Sequence, residues 1–322
     1  MPLVSVIINI CNGAATLREA VDSVLAQTLD DWELIAWNDS SSDGSADIVS
    51  SYSDQRIRYF RSDELVPLGQ ARQRAIELAR GEWVAFLDQD DIWLPHKLER
   101  QMAAARDADD VALVYGRTVR FYSSGMERDY DQDHEYTLLP EGAIFAELFT
   151  NGCFIAMSSA MFRRSAIQQI GGIPETISII PDYYLYTTIA RRFQAAAVQE
   201  AVCRYRMHAG NTLQVTAIKV HEEALRLMDM WQGAVEPQIL ARCKQRHSTA
   251  LALVEMRDPR TVSRGTWRLL KDGSFSSQLL RPFYFVFHLV RRNVRPPLWK
   301  TGCPEGVPPE LTGPVSTKGQ RS

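Results

Sequence analysis

Residues 83–93 read Trp-Val-Ala-Phe-Leu-Asp-Gln-Asp-Asp-Ile-Trp, an apolar run that breaks into carboxylates at Asp88, Asp90 and Asp91. Trp83–Leu87 has the length and composition of a buried strand, and Gly81 just before it stops a helical pattern over Leu68–Arg80. The same alternation recurs toward the N-terminus. Leu3–Ile10 is a β-branched run followed by Asn12-Gly13 and a helical segment through Gln27, in which Leu17, Ala20, Val21, Val24 and Leu25 share one face. Trp32–Trp37 is a second run, closed by the polar turn Asn38–Gly44 and a short helix from Ser45, and Ile57–Phe60 is a third. Strand and helix alternating four times predicts an α/β protein with a mostly parallel sheet flanked by helices.

Ligands of such sheets sit at the carboxyl ends of the strands. Those positions here are Cys11–Gly13, Asn38–Asp43, Arg61–Glu64 and Asp88–Asp91, and all but the first carry carboxylates. Negative charge at a half-buried strand end is costly unless a cation or a donor-rich ligand offsets it. Asp88–Asp91 has the hard oxygens that suit Mg²⁺ or Mn²⁺, ions that leave positions open for phosphate oxygens. The natural ligand is then a nucleoside diphosphate compound; an acidic helix N-terminus is the plainer alternative. An aspartyl-phosphate phosphatase motif fits poorly, since it follows the first strand of its fold and ends in Thr or Val. Asn38–Gly44 offers donors and acceptors for a nucleobase edge and ribose hydroxyls, or else a Ser-rich turn in which Asp43 caps the next helix. Arg72, at the start of the third helix, either reaches a base or phosphate or neutralises the acidic rim.

The whole chain has 322 residues, 45% apolar and 23% charged, which excludes wholesale disorder and collagen-like repeats. Its net charge of -3 hides an asymmetry: residues 1–200 carry 17 basic against 30 acidic side chains, residues 201–322 carry 19 against 9. Five cysteines at least 40 residues apart, with no Cys-x-x-Cys, argue against a disulfide framework or structural zinc. No basic residue precedes the Leu3–Ile10 run and no small-residue cleavage pattern follows it, and no stretch reaches the roughly 20 apolar residues of a spanning helix. The expected compartment is the cytoplasm.

Beyond the acidic loop, helices are expected over Pro95–Ala105, Ala143–Phe149, Ser165–Ile170 and Tyr183–Phe193. Strands are expected over Val111–Phe121, Phe154–Phe162 and Ala195–Arg206, with a polar loop over Tyr122–Leu139. From about Thr216 the patterns are helical only: Lys219–Trp231, Gln238–Met256, Val262–Lys271 and Leu279–Arg292. Residues 301–322, rich in Pro, Gly, Ser and Thr, read as a disordered tail.

Taken together, VSVIINICNGAATLREAVDSVLAQT, WELIAWNDSSSDGS, LGQARQRAIELARGEWVAFLDQDDIW and PHKLERQ resemble the family 2 glycosyltransferases of the GT-A fold. The blocks have that family's order and spacing over residues 3–101, and weaker matches continue to about residue 213. The resemblance implies a GT-A, Rossmann-like catalytic domain over 1–213, with a nucleotide-binding half (1–95) and an acceptor half (96–213), then a helical region over 214–300. It implies a nucleotide-diphosphate sugar donor, Mn²⁺ or Mg²⁺ as cofactor, and inverting transfer to a glycan or lipid-linked acceptor in cell-surface polysaccharide synthesis.

By the same resemblance, Asp39 and the backbone near Ile10–Asn12 hold the nucleobase, with Arg72 beside them. Asn38 stands where many members have Asp. Asp88 contacts the ribose and Asp90 ligates the metal. The general base maps to Asp182 in Ile180-Pro181-Asp182-Tyr183-Tyr184-Leu185, after Gly171-Gly172-Ile173-Pro174-Glu175. Pro181 and Tyr184 depart from the family's acidic residues, Glu175 is the fallback base, and a helix cap is the alternative role for Asp182. Cys203–Asn211 resembles a Tyr-Arg-x-His-x-x-Asn stretch, so Arg206 and His208 close over the donor phosphates. Ser158–Arg163 also fits and would shape the acceptor side.

The positive charge of the C-terminal part concentrates in residues 259–300, around the aromatics Phe283, Tyr284, Phe285 and Phe287. Arginines flanking an apolar aromatic segment suit a helix lying in a membrane interface, so residues 279–300 would hold the enzyme to an anionic surface at the inner face of the plasma membrane. Packing on the catalytic domain is the alternative, and no nucleic-acid motif is present. The departures at Asn38, Pro181 and Tyr184 keep one further class open, a non-catalytic nucleotide-sugar-binding or membrane-attached assembly module.

Overall fold

The computed structural model describes residues 1–105, 110–122, 124–129, 137–208, 217–256 and 261–271. Its first part follows the alternation: β1 (Val4–Ile10), α1 (Leu17–Leu25), β2 (Trp32–Asp39), α2 (Ser45–Ser50), β3 (Ile57–Ser62), α3 (Leu68–Glu77) and β4 (Trp83–Phe86). Then come β5 (Ile92–Trp93), α4 (Lys97–Ala105), β6 (Val111–Tyr122), β7 (Glu127–Asp129), α5 (Phe145–Asn151), β8 (Met161–Arg163), α6 (Arg164–Gln169), α7 (Pro181–Ala190) and β9 (Gln194–Met207). Three helices follow: α8 (Ala217–Met230), α9 (Pro237–Glu255) and α10 (Val262–Lys271). Met1–Ser274 forms one compact unit.

The described strands form one sheet in the order β3-β2-β1-β4-β8-β6-β9-β5, with β7 beside β6. The β3-β2-β1-β4 half is parallel; β8 enters antiparallel between β4 and β6, so the sheet is mixed. Strands buried on both faces read as continuous apolar runs rather than alternating ones. In β1, Val4, Val6, Ile8 and Ile10 pack with Leu17, Ala20, Val21 and Val24 of α1 and Leu98 of α4. Ile7 faces the other side, in a core with Ala75 and Ile76 of α3 and with Leu185 and Ile189 of α7. Leu227 and Met228 of α8 and Leu240 and Cys243 of α9 belong to that same second core. Helices α8 and α9 therefore share the apolar interior of the sheet.

Register places the functional edge. Ile10 lies opposite Asn38, Asn38 opposite Arg61, and Asp39 opposite Ser62, so β1, β2 and β3 end together. β4 is released earlier, where Phe86 lies opposite Ile7, and Asp88–Asp91 runs on past the sheet.

Several boundaries differ from the sequence reading. Asn38 and Asp39 close β2 rather than opening a turn, because both pair with β3. The expected strand Phe154–Phe162 contracts to β8, preceded by a 3₁₀ turn at Met157–Ser159. β5 was not expected; it pairs with Cys203 and Arg204, and two residues show no period. Among the described residues, Cys11, Cys153, Cys203 and Cys243 form no disulfide. Leu279–Arg292, the proposed membrane segment 279–300 and the tail 301–322 lie outside the described residues.

At the amino end of β2, Glu33 gathers three elements: its carboxylate accepts from the Ser5 hydroxyl (2.7 Å), the Arg80 N–H (2.8 Å) and the Arg58 guanidinium (2.6 Å). Burial pushes the Glu33 carboxyl up, but bonds from Ser5, Arg80 and Arg58 outweigh it, leaving it below its ordinary 4.5. A depressed carboxyl stabilises the fold above its unfolded value, and that contribution disappears as pH falls through the folded value. Glu33→Gln is expected to lower stability near neutral pH by roughly 1–3 kcal/mol. It should also flatten the loss of stability below pH 4.5. Urea unfolding across pH checks both.

Candidate active site

The carboxyl edge is organised around one buried cation. Arg72 lies in α3 with a side chain only 4% exposed, its guanidinium over the Phe86 ring, and it donates to Asp88 at 2.9 Å. Burial pushes the Asp88 carboxyl up; Arg72 pulls it back, and the nearby Asp90 and Asp182 push it further up. Of the two roles open to Arg72 from sequence, the geometry is that of a counter-ion to the acidic rim.

Ser158 braces the acidic loop from below. Its hydroxyl accepts the Asp88 N–H (3.0 Å) and donates to Asp91 (2.5 Å), whose other oxygen accepts the Arg206 N–H (2.9 Å). Asp91 is buried, and desolvation with the charges of Asp88 and Asp90 pushes its carboxyl well up. Ser158 belongs to the segment Ser158–Arg163 that was expected to shape the acceptor side, and the 3₁₀ turn Met157–Ser159 carries it to the acidic loop after β4. The Asp91 bond ties that loop to the end of β9. There Arg206 donates to the Asp90 carbonyl (2.8 Å) and to Glu19 (3.0 Å), and His208 Nε2 faces Asp90 at 2.7 Å.

Asp90 and His208 together supply one carboxylate and one imidazole to a common point. Among the described residues no three His, Cys, Asp or Glu side chains converge as a ready-made metal cage. The Asp90–His208 set still fits a divalent ion that draws its remaining ligands from phosphate oxygens and water, as Mg²⁺ and Mn²⁺ do.

Asp182 lies in the first turn of α7, half-buried, and accepts the N–H of Tyr183 at 2.8 Å. It is close enough to influence both Asp88 and the half-buried Cys153 thiol, which desolvation and then Asp182 push up. Glu175, the fallback, is exposed.

On the β1–β2 side the loops brace each other. The N–H groups of Cys11, Asn12, Gly13 and Ala14 donate in turn to Gln89, Ser41, Ser45 and Asp43. A side chain at Gly13 would strike the Gln89 amide, with a Cβ only 2.3 Å from its oxygen. Asn12 and Ser40 take left-handed conformations (φ 51° and 56°) to turn these loops back. Asn12 Oδ1 accepts the Ser42 N–H at 2.9 Å, and Ile10 is fully buried, so only its backbone faces the edge. Asn38 corrects the sequence reading: it is fully buried, donates to the Tyr59 hydroxyl (2.8 Å) and accepts the Ser41 N–H (2.9 Å), so its amide shapes the loop rather than meeting a ligand. Asp39 is buried as well: burial pushes its carboxyl up, and the Val66 N–H at 3.2 Å and Arg74 restrain it. A cleft of about 550 Å³ at the ends of β2 and β3 is lined by Trp37, Arg61, Ser62, Asp63, Glu64 and Arg74.

A mixed sheet with a braced acidic loop at its carboxyl edge is the architecture of GT-A glycosyltransferases. The mannosyltransferase PcManGT of Pyrobaculum calidifontis, solved with GDP-Man and Mn²⁺, matches with a TM-score of 0.60 over 90% of this chain and 81% of its own, at 17% identity. The model of glycosyl transferase family 2 matches residues 5–171, and the chain belongs to that family. It is 43% identical over 64% of its length to TuaG of Bacillus subtilis, a glycosyltransferase assigned to teichuronic acid biosynthesis, covering 79% of that protein. It is 29% identical over 70% of its length to WfaP of Escherichia coli, a UDP-Glc:alpha-D-GlcNAc-diphosphoundecaprenol beta-1,3-glucosyltransferase, covering 92% of it. The chain is thus a glycosyltransferase. Among the described residues no helix is long and apolar enough to cross a membrane.

Removing the Ser158 hydroxyl leaves the Asp88 N–H and the Asp91 carboxylate without that partner. Ser158→Ala is expected to weaken nucleotide binding about tenfold, some 1.4 kcal/mol, while the protein stays folded. Calorimetric titration with a nucleoside diphosphate and Mn²⁺ measures this.

Proposed function

We propose that this enzyme transfers a sugar, with inversion, from a nucleoside diphosphate sugar to a hydroxyl of a glycan or lipid-linked acceptor in cell-surface polysaccharide synthesis. The observation that carries the reading is the juxtaposition of Asp182 with the Asp88–Asp90 loop, a lone carboxylate set against a donor-side acidic cluster. Asp182 takes the proton of the acceptor hydroxyl. The oxygen then attacks the anomeric carbon from the face opposite the diphosphate, a new C–O bond forms, and the old C–O bond breaks with its electron pair leaving on the phosphate.

On the donor side, Asp39 accepts a hydrogen bond from the imino N–H of the base, and the backbone at Ile10 and Asn12 borders it. Asp88, held by Arg72, meets the ribose. Asp90 and His208 would hold Mn²⁺ or Mg²⁺, which when bound offsets the charge of the diphosphate. Arg206 adds fixed positive charge beside the leaving group. WfaP is a glucosyltransferase with UDP-Glc as donor and alpha-D-GlcNAc-diphosphoundecaprenol as acceptor, which supports a nucleotide sugar and a lipid-linked acceptor here. Such an acceptor would bring the enzyme to the inner face of the plasma membrane, with residues 279–300 contacting the anionic surface.

Two substitutions separate binding from chemistry. Asp90→Ala is expected to abolish Mn²⁺-dependent nucleotide binding. Asp182→Asn should keep that binding and reduce turnover by roughly 10²–10⁴. Full turnover in Asp182→Asn would remove Asp182 as the base, and nucleotide binding without any turnover in the unmodified enzyme would favour a non-catalytic module.

A further inference from the structure

Helix α7, which presents Asp182, has an unusual beginning. Its N-cap residue is Ile180, which offers no side-chain acceptor, and its first residue is Pro181, which has no N–H. The N–H groups just before it, on Ser178, Ile179 and Ile180, need partners from elsewhere. All of them converge on one carboxylate oxygen: Glu223 Oε1 accepts from Ser178 (2.9 Å), Ile179 (2.8 Å) and Ile180 (3.0 Å). Glu223 belongs to α8, beyond the stretch matched by the family model, and its side chain is 1% exposed, with Arg226 at 3.8 Å.

The opposite side of this segment is clamped by α3. The Gly69 N–H donates to the Ser178 carbonyl at 3.2 Å, and the backbones approach so closely that a Cβ at Gly69 would lie 1.9 Å from the Ile177 carbonyl oxygen. One turn further on, Gln73 accepts the Ile173 N–H at 2.8 Å. The same helix holds Asp88 through Arg72.

We propose that Glu223 is a positioning residue for catalysis: by gathering the three N–H groups ahead of α7 it presses that segment onto α3 and sets the place of Asp182 relative to Asp88. This rests on the reading of Asp182 as the general base. A carboxylate suits the task because charge-assisted bonds to backbone N–H groups are strong, and because its negative charge favours the positive end of the helix. In this account α8 is a working part of the transfer site.

The test uses the full chain with a nucleotide sugar that it turns over, comparing kcat, KM for the donor and nucleotide affinity. Glu223→Ala is expected to lower kcat at least about tenfold while nucleotide affinity stays within about twofold. Glu223→Gln, which keeps an acceptor oxygen in place, should restore kcat to within about threefold of the original. If Glu223→Ala fails to fold, Glu223→Asp, which withdraws the carboxylate by one methylene, is expected to show the same fall in kcat at unchanged affinity. In an Asp182→Asn background, replacing Glu223 should cost no further turnover, since residues acting through one another are not additive. Turnover within twofold of the original in a folded Glu223→Ala or Glu223→Asp protein overturns the proposal, as does an equal loss of nucleotide affinity or a multiplied loss in the double variant. An active Asp182→Asn protein would instead overturn the reading of the base.

Discussion

Keeping several carboxylates close together at the end of a sheet is the constraint around which this molecule is arranged. Asp90 and Asp182 lie near enough to push the Asp88 carboxyl up, and Asp88 and Asp90 do the same to Asp91. Arg72 pairs with Asp88 from inside the protein, Ser158 and the Arg206 N–H divide Asp91 between them, and His208 meets Asp90. These contacts relieve part of the repulsion. The rest is suited to a cation and a ligand rich in hydrogen-bond donors, which is how an acidic edge becomes a binding site.

Helix α3 is the element that relates the two sides of that site. Arg72 holds Asp88 in the acidic loop, while Gly69 and Gln73 grip the segment leading to Asp182. Ala75 and Ile76 pack α3 into one core with Ile7 of β1 and Ile35 of β2, so Asp88 and the segment leading to Asp182 both lean on a helix fixed to the sheet. Glu223 closes the arrangement from the far side. Helix α8, which the charge pattern alone marks only as part of a basic extension, thereby reaches the segment leading to Asp182.

Much of this was legible in the residues. The continuous apolar runs of β1, β2 and β4 announce strands buried on both faces, and carboxylates directly after a buried run can hardly escape notice. Arg72, Asp88, Asp90, Arg206 and His208, singled out by pattern and resemblance, do meet at one edge. What stayed hidden depends on bonds across long separations: Gln89 to Cys11 across 78 residues, Ser158 to Asp88 across 70, Glu223 to Ser178 across 45. A serine or glutamate with one distant partner leaves no period and no local motif. Asn38 misled for a related reason, since its place in a ligand-facing motif does not reveal that Tyr59 and Ser41 already occupy its amide. The two-residue β5 was too short to show any pattern.

The most direct test of the account is turnover of a panel of UDP-, GDP- and dTDP-sugars with and without Mn²⁺, scored as free nucleotide released with and without a lipid diphosphate acceptor. At least one donor is expected to release its nucleotide only when Mn²⁺ is present, and faster when the acceptor is added. Mn²⁺-dependent nucleotide binding with neither hydrolysis nor transfer from any donor, or release that ignores the metal, would contradict it.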